Sequence, residues 1–199
     1  MKPCSAHNET YCIITAEIIA TFMLVFIGTG AIIINDATSF FGLVGICFVF
    51  AGIVAAMIII FGPMSGAHMN PAVSIALVVA KVMPVKKLPV YLVGQIIGAF
   101  LASAVLRYLA PEHQNLGSTI PQTSISAAFF LEVGLTFLLM EGIVKSAVLR
   151  KPSWPIVAAV VSLIIWVEVY FAGPVTGASM NPIRSLAPAV MSGTFADQW

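Results

Sequence analysis

The chain has 199 residues, of which 60% are hydrophobic and 9% charged, with a formal net charge of +1 and a mean hydropathy of +1.04. A soluble domain carries roughly a quarter charged residues, so this composition excludes a soluble globular protein and points to an integral membrane protein. The near-zero charge gives no sign of a nucleic-acid partner, the length fits one domain, and Cys4, Cys12 and Cys47 have neither metal-ligand nor redox spacing, so no disulfide framework is expected.

Residues 1–12 are a short polar lead. The apolar run after them is as long as a spanning helix, about 20 residues, so no cleavable signal peptide is read there. The first span covers residues 13–34 and closes at Asn35-Asp36; the second covers 41–61. A Gly- and Pro-rich loop follows, and the stretch from Asn70 to about Lys81 is too short to cross. Pro84 to Lys87 is a break before the third span, 88–109. Residues 110–126 form a polar connection with Pro111 and Pro121, the fourth span is 127–148, and Arg150 to Pro155 is the next break. The fifth span is 156–172. A second Gly- and Pro-rich loop then leads to a short stretch from Asn181 to about Met191, and the sequence stops at Trp199.

The two loops are copies. Gly62-Pro63-Met64-Ser65-Gly66-Ala67-His68-Met69-Asn70-Pro71-Ala72 returns as Gly173-Pro174-Val175-Thr176-Gly177-Ala178-Ser179-Met180-Asn181-Pro182-Ile183, with Gly, Pro, Gly, Ala, Met, Asn and Pro unchanged. Asn is a favoured N-cap and Pro a favoured first helical residue, so Asn70-Pro71 and Asn181-Pro182 each predict a helix start. The spans repeat as well: Glu17-x-x-x-Thr21-Phe22 in the first matches Glu132-x-x-x-Thr136-Phe137 in the fourth. Three spans lie between equivalent points, an odd number, which makes the repeats inverted in the membrane. The expected fold is therefore all-α and membrane-embedded: two inverted repeats, about 13–109 and 127–199, each of three spans plus a re-entrant half-helix, in a single domain over 1–199. The sixth span, expected by symmetry after Trp199, is missing: either the chain is truncated there or the bundle has an open flank where that helix belongs.

Orientation follows from Lys and Arg in short loops. Lys2, Lys81, Lys86, Lys87, Lys145, Arg150 and Lys151 fall on one side, Arg107 and Arg184 on the other. The N-terminus is thus expected in the cytoplasm, which discounts the glycosylation sequon at Asn8-Glu9-Thr10.

The residues suggest a mechanism. Half-helices beginning at Asn70 and Asn181 enter from opposite faces and should meet near the midplane, each presenting its positive dipole end of about half a charge. The Asn amides would donate hydrogen bonds into the pore, and the carbonyls of 66–68 and 177–179 would form a ladder of acceptors. A neutral permeant slides along such a ladder while cations and protons meet a positive barrier. Arg184 lies one turn into the second half-helix, where a charge is costly unless it faces water. Glu17 and Glu132 recur in both repeats and are expected to accept hydrogen bonds from buried backbone N–H groups of the re-entrant loops. Glu141 and Glu168 have no repeat partner. His68 at the inner mouth reads equally as a pore or gating residue and as a structural histidine.

The paired Asn-Pro loops, the Glu-x-x-x-Thr-Phe pair and Tyr91-Leu92-Val93-Gly94-Gln95 resemble the aquaporin, or major intrinsic protein, family over essentially the whole chain. Phe171 to Pro182 is similar to its nodulin-like, aquaglyceroporin-type branch. Ile183 departs from the usual alanine after Asn-Pro, and the sixth span is a second departure. The resemblance implies an outer constriction in which Phe50, Val169 and Ala178 accompany Arg184, with pore contributions from Asn70, Asn181, Gly66, Ala67, His68, Gly177 and Ser179 and structural roles for Glu17, Glu132, Pro71 and Pro182. Water-selective relatives usually carry His at the position of Val169, and nodulin-like relatives carry Trp where Phe50 stands. The implied function is a passive cell-membrane channel, a homotetramer without metal or cofactor, for water and small neutral solutes such as glycerol, urea, ammonia or metalloid hydroxides. A strictly water-selective channel, an ion-coupled transporter using Glu141 and Glu168, and a non-conducting junction protein are the rival readings. No Ser-His-Asp, paired-carboxylate or metal-ligand constellation suggests an enzyme.

Overall fold

The computed structural model describes residues 8–149 and 153–195. Lys2, Cys4, His7, Arg150, Lys151 and Trp199, on which parts of the sequence reading rest, lie outside the described residues. The elements are α1 (Glu9–Thr38), α2 (Gly42–Ser65), α3 (Pro71–Val79), α4 (Leu88–Leu109), α5 (Ile125–Ile143), α6 (Trp154–Thr176) and α7 (Pro182–Ser192). A 3-10 turn at Val85–Lys87 leads into α4 and a π-helical turn at Val144–Val148 closes α5. Among the described residues α1, α2, α4, α5 and α6 are long and apolar enough to cross a membrane. α3 and α7, of 9 and 11 residues, reach about half way at 1.5 Å per residue.

Small residues set the packing of α4 on α1. A Cβ placed at Gly98 would stand 2.4 Å from the carbonyl oxygen of Ile18, and one at Gly94 would stand 2.9 Å from Cβ of Glu17. Backbones approach this closely only where side chains are missing, the usual device where lipid supplies no hydrophobic drive between helices. Ile183 of α7 enters the same region, in a cluster with Val25, Ala99 and Ala102. It packs on α1 and α4, beside the small residues Ala99 and Ala102. The largest core cluster lies between α2 and α6.

α2 and α6 run further than expected, through Pro63 to Ser65 and through Pro174 to Thr176. A proline removes its own N–H bond, but the residues after it still close the helix: Gly66 donates to the Gly62 carbonyl at 3.0 Å and Gly177 to that of Gly173 at 2.9 Å. Gly66 and Gly177 take the left-handed conformation, φ 87° and 88°, that ends such helices. Each re-entrant loop is thereby shortened to a handful of residues.

Lys87 pairs with Glu9, so the start of α4 lies beside the start of α1. At the opposite end His113 stands 3.3 Å from Asp36. Cys12 is disulfide-bonded, although no disulfide framework was expected from the spacing; Cys47 is free and buried. On the flank where the repeat comparison expects a further span, α5 and the two half-helices border a groove of about 450 Å³ whose lining includes Glu132, Thr136 and Ser185.

Candidate permeation pathway

Asn70 and Asn181 cap α3 and α7. Asn70 Oδ1 accepts from the Ala72 amide at 2.8 Å and Asn181 Oδ1 from the Arg184 amide at 3.4 Å. The following prolines, Pro71 and Pro182, sit at the first helical position, where a missing N–H costs nothing. The two Asn side chains also reach across to the opposite loop: Asn70 Nδ2 donates to the Met180 carbonyl at 2.7 Å, and Asn181 Nδ2 donates to the Met69 carbonyl at 2.8 Å. These crossed bonds come in addition to the donation into the pore expected from the sequence. Each NH2 carries two hydrogens; one ties the half-helices together and the other is left for the cavity.

The loops that hold these residues are strained. Ala67, Met69, Ala178 and Met180 have φ of 49°, 53°, 42° and 50°, each at roughly 1–2 kcal/mol for a non-glycine residue. Buried carboxylates offset this. Glu17 accepts from Ser65 Oγ (2.7 Å), the His68 amide (2.9 Å), the Met69 amide (2.8 Å) and Gln95 Nε2 (2.9 Å). Glu132 accepts from Thr176 Oγ1 (2.7 Å), the Ser179 amide (3.0 Å) and the Met180 amide (2.8 Å). Hydrogen bonds to a charged acceptor are about twice as strong as neutral ones, and these give the backbone amides of His68, Met69, Ser179 and Met180 their partners.

One cavity of about 230 Å³ connects these parts. Phe50, Gly66, Ala67, His68, Asn70, Val169, Ala178, Ser179, Asn181 and Arg184 all line it. Gly177 does not. A Cβ there would lie 2.7 Å from Cγ2 of Thr119, so Gly177 is turned into the 110–124 connection and away from the lumen. Arg184 is buried; Nη1 donates to the Gly117 carbonyl at 3.0 Å, and its guanidinium carbon stands 5.2 Å from the centre of the Phe50 ring, within cation–π range. The sequence reading gave no role to Gly117, which lies 67 positions away. The signal available was a Gly inside a connection longer than the usual 2–8 residues between bundled helices. Thr119 extends the brace by donating to Ser185 Oγ at 2.7 Å.

At the other mouth His68 stacks on Tyr91, with ring centres 4.3 Å apart, and its Nδ1 lies 3.0 Å from Ser74 Oγ. Tyr91 donates to the Ser65 carbonyl at 2.6 Å and Gln95 to Ser74 at 3.0 Å. His68 therefore borders the lumen and is held structurally at once. Glu141 pairs with Lys145 one turn on. Glu168 lies outside the cavity lining, with both carboxyl oxygens buried and without a hydrogen-bond partner among the described residues.

Two half-helices meeting N-terminus to N-terminus at a lumen, inside a bundle of membrane-length helices, define a membrane channel of the paired Asn-Pro type. The profile of the family described as major intrinsic protein matches residues 5–199, and the chain belongs to that family. It is similar to aquaporin NIP1-2 of Oryza sativa subsp. japonica, 36% identical over 98% of this chain and 67% of that protein. Aquaporin NIP3-1 of Arabidopsis thaliana is 36% identical over 92% of this chain and 59% of its own length, and nodulin-26 of Glycine max 33% identical over 94% and 69%. The chain thus spans roughly two thirds or less of most of the curated relatives it matches. The X-ray structure of the aquaglyceroporin from Plasmodium falciparum superposes with a TM-score of 0.83 at 29% identity, covering 92% of this chain and 81% of that one.

Proposed function

We propose that this chain forms a passive channel for water and small neutral solutes such as glycerol, urea, ammonia or metalloid hydroxides, and that it excludes ions and protons. The observation that carries the reading is the crossed pair of Asn-to-carbonyl bonds at the cavity, Asn70 to Met180 and Asn181 to Met69. It fixes two amide donors and two positive helix ends at one point of the path. A permeant with a lone pair exchanges hydrogen bonds there; a cation loses its hydration shell and gains only repulsion. The names of the relatives, aquaporins and an aquaglyceroporin, support the same reading.

The breadth of solutes is supported by the constriction. Arg184 supplies charge and donors, while Phe50, Val169 and Ala178 present apolar surface, which suits solutes with a carbon edge as well as a polar one. In this reading residues 13–109 and 127–199 are two inverted repeats of a single channel domain. The protein works as a homotetramer in the cell membrane with its N-terminus in the cytoplasm. Lys87 beside Glu9 supports that orientation by placing the Lys86-Lys87 end of α4 at the N-terminal end of α1.

The test is a stopped-flow permeability panel on purified protein in liposomes, for water, glycerol, urea and ammonia. The wild type is expected to pass water and at least one larger solute; water alone would establish the strictly selective alternative. Val169→His adds bulk and a polar group and should keep water while losing glycerol. Arg184→Ala removes the barrier and should speed urea and admit measurable cation current.

A further inference from the structure

We infer that Gly28 of α1 is a specificity-determining position, because it alone makes room for the aromatic wall of the outer constriction. A Cβ built at Gly28 would lie 2.4, 2.7 and 2.9 Å from Cε1, Cζ and Cδ1 of the Phe50 ring. Carbon atoms rest at roughly 3.5–4.0 Å, so a single methyl group here forces the ring to move by about 1 Å. The ring lies against the helix backbone itself, in a notch where α1 lacks a side chain.

The direction of that displacement matters. Phe50 is buried, lines the cavity and has the Arg184 guanidinium 5.2 Å from its centre. A close-packed interior leaves a displaced ring little free space except the cavity that it lines, so a ring pushed off Gly28 is expected to move into that cavity, which Arg184 also lines. Arg184 is fixed from behind by the Gly117 carbonyl at 3.0 Å and does not retreat. The aperture between the ring and the guanidinium therefore narrows, and the substitution never touches the permeant. Gly28 is thus a positioning residue acting through Phe50. Gly30 and Gly52 of the same two helices differ: Gly52 has nothing within 4 Å of an added Cβ, and Gly30 meets only Leu106 at 3.5 Å, an ordinary contact.

This rests on the channel reading above, and the experiment separates the two. Gly28→Ala, Gly52→Ala and the double variant Gly28→Ala/Phe50→Leu are reconstituted with the wild type, and water, urea and glycerol permeabilities are measured on the same liposomes. Gly28→Ala is expected to lower the glycerol-to-water and urea-to-water ratios by about tenfold, the scale on which one methyl group decides a fit. Gly52→Ala should match the wild type. The double variant should recover the wild-type ratio or exceed it, because leucine removes the ring that was displaced; a fold damaged by the methyl group would not be rescued in this way. A wild-type ratio in Gly28→Ala, or a double variant as restricted as the single one, overturns the inference and leaves the channel reading standing. A wild type that carries no solute overturns both.

Discussion

Glu17 and Glu132 illustrate how single residues shape the path without touching the permeant. Each stands behind a loop whose backbone adopts conformations that alanine and methionine avoid, and each accepts from two consecutive backbone amides as well as a hydroxyl. Glu132→Gln keeps the shape but replaces one acceptor oxygen with a donor. One of the three donors at that carboxylate is then left facing an NH2 group, at about 1–3 kcal/mol for the unmade bond, and the strain of Ala178 and Met180 loses its counterweight. We expect a lower thermal unfolding midpoint in detergent and a loss of permeation for all solutes alike, since the whole loop is displaced. Glu141→Gln is the matched comparison. Its carboxylate pairs with an exposed lysine one turn away, and such pairs are worth a few tenths of a kcal/mol, so neither readout should move. Equal effects from the two substitutions would show that charge in the membrane, and not the loop contacts, sets stability.

At the scale of elements, helix spacing is decided by the glycines between α1 and α4. The Ile18 carbonyl lies where a Gly98 side chain would begin, and a backbone carbonyl cannot rotate away as a flexible side chain can. Gly98→Leu is expected to separate the helices and destabilise the bundle by about 1–3 kcal/mol, the cost of overpacking. The change would be seen as earlier aggregation on heating; unchanged stability would mean that α4 is held elsewhere. Much of this layer could be read from the sequence. α4 begins and ends where the apolar run does, because a proline pair and a polar connection bound it. The half-helix starts at Asn70 and Asn181 were legible because capping is a local matter. The ends of α2 and α6 were not. Pro63 and Pro174 look like stops, yet near a helix terminus each forfeits one bond and the helix continues to Ser65 and Thr176. The contacts of Arg184 with Gly117 and of Asn70 with Met180 join residues 67 and 110 positions apart, and no local periodicity encodes such pairs.

For the molecule as a whole, the two halves are interlocked at their loops, and this bears on how it transports. An alternating-access transporter moves one repeat or bundle against another around its site. Here the junction of the half-helices is pinned by bonds running in both directions, Asn70 to Met180 and Asn181 to Met69, and each loop is tied to a carboxylate of its own half. Rocking one half over the other would break both crossed bonds and leave buried carbonyls and amides unpaired at the same moment. Among the described residues no carboxylate lines the path: Glu168 lies off the cavity lining and Glu141 is paired with Lys145. The expected behaviour is therefore that of a pore open to both sides. Liposomes carrying the protein should show the same solute permeability for inward and outward gradients, and an imposed pH gradient should drive no accumulation of glycerol or urea above the external concentration. Uphill accumulation collapsed by a protonophore would place the protein among coupled transporters, and Glu168→Gln would then be the first variant to examine.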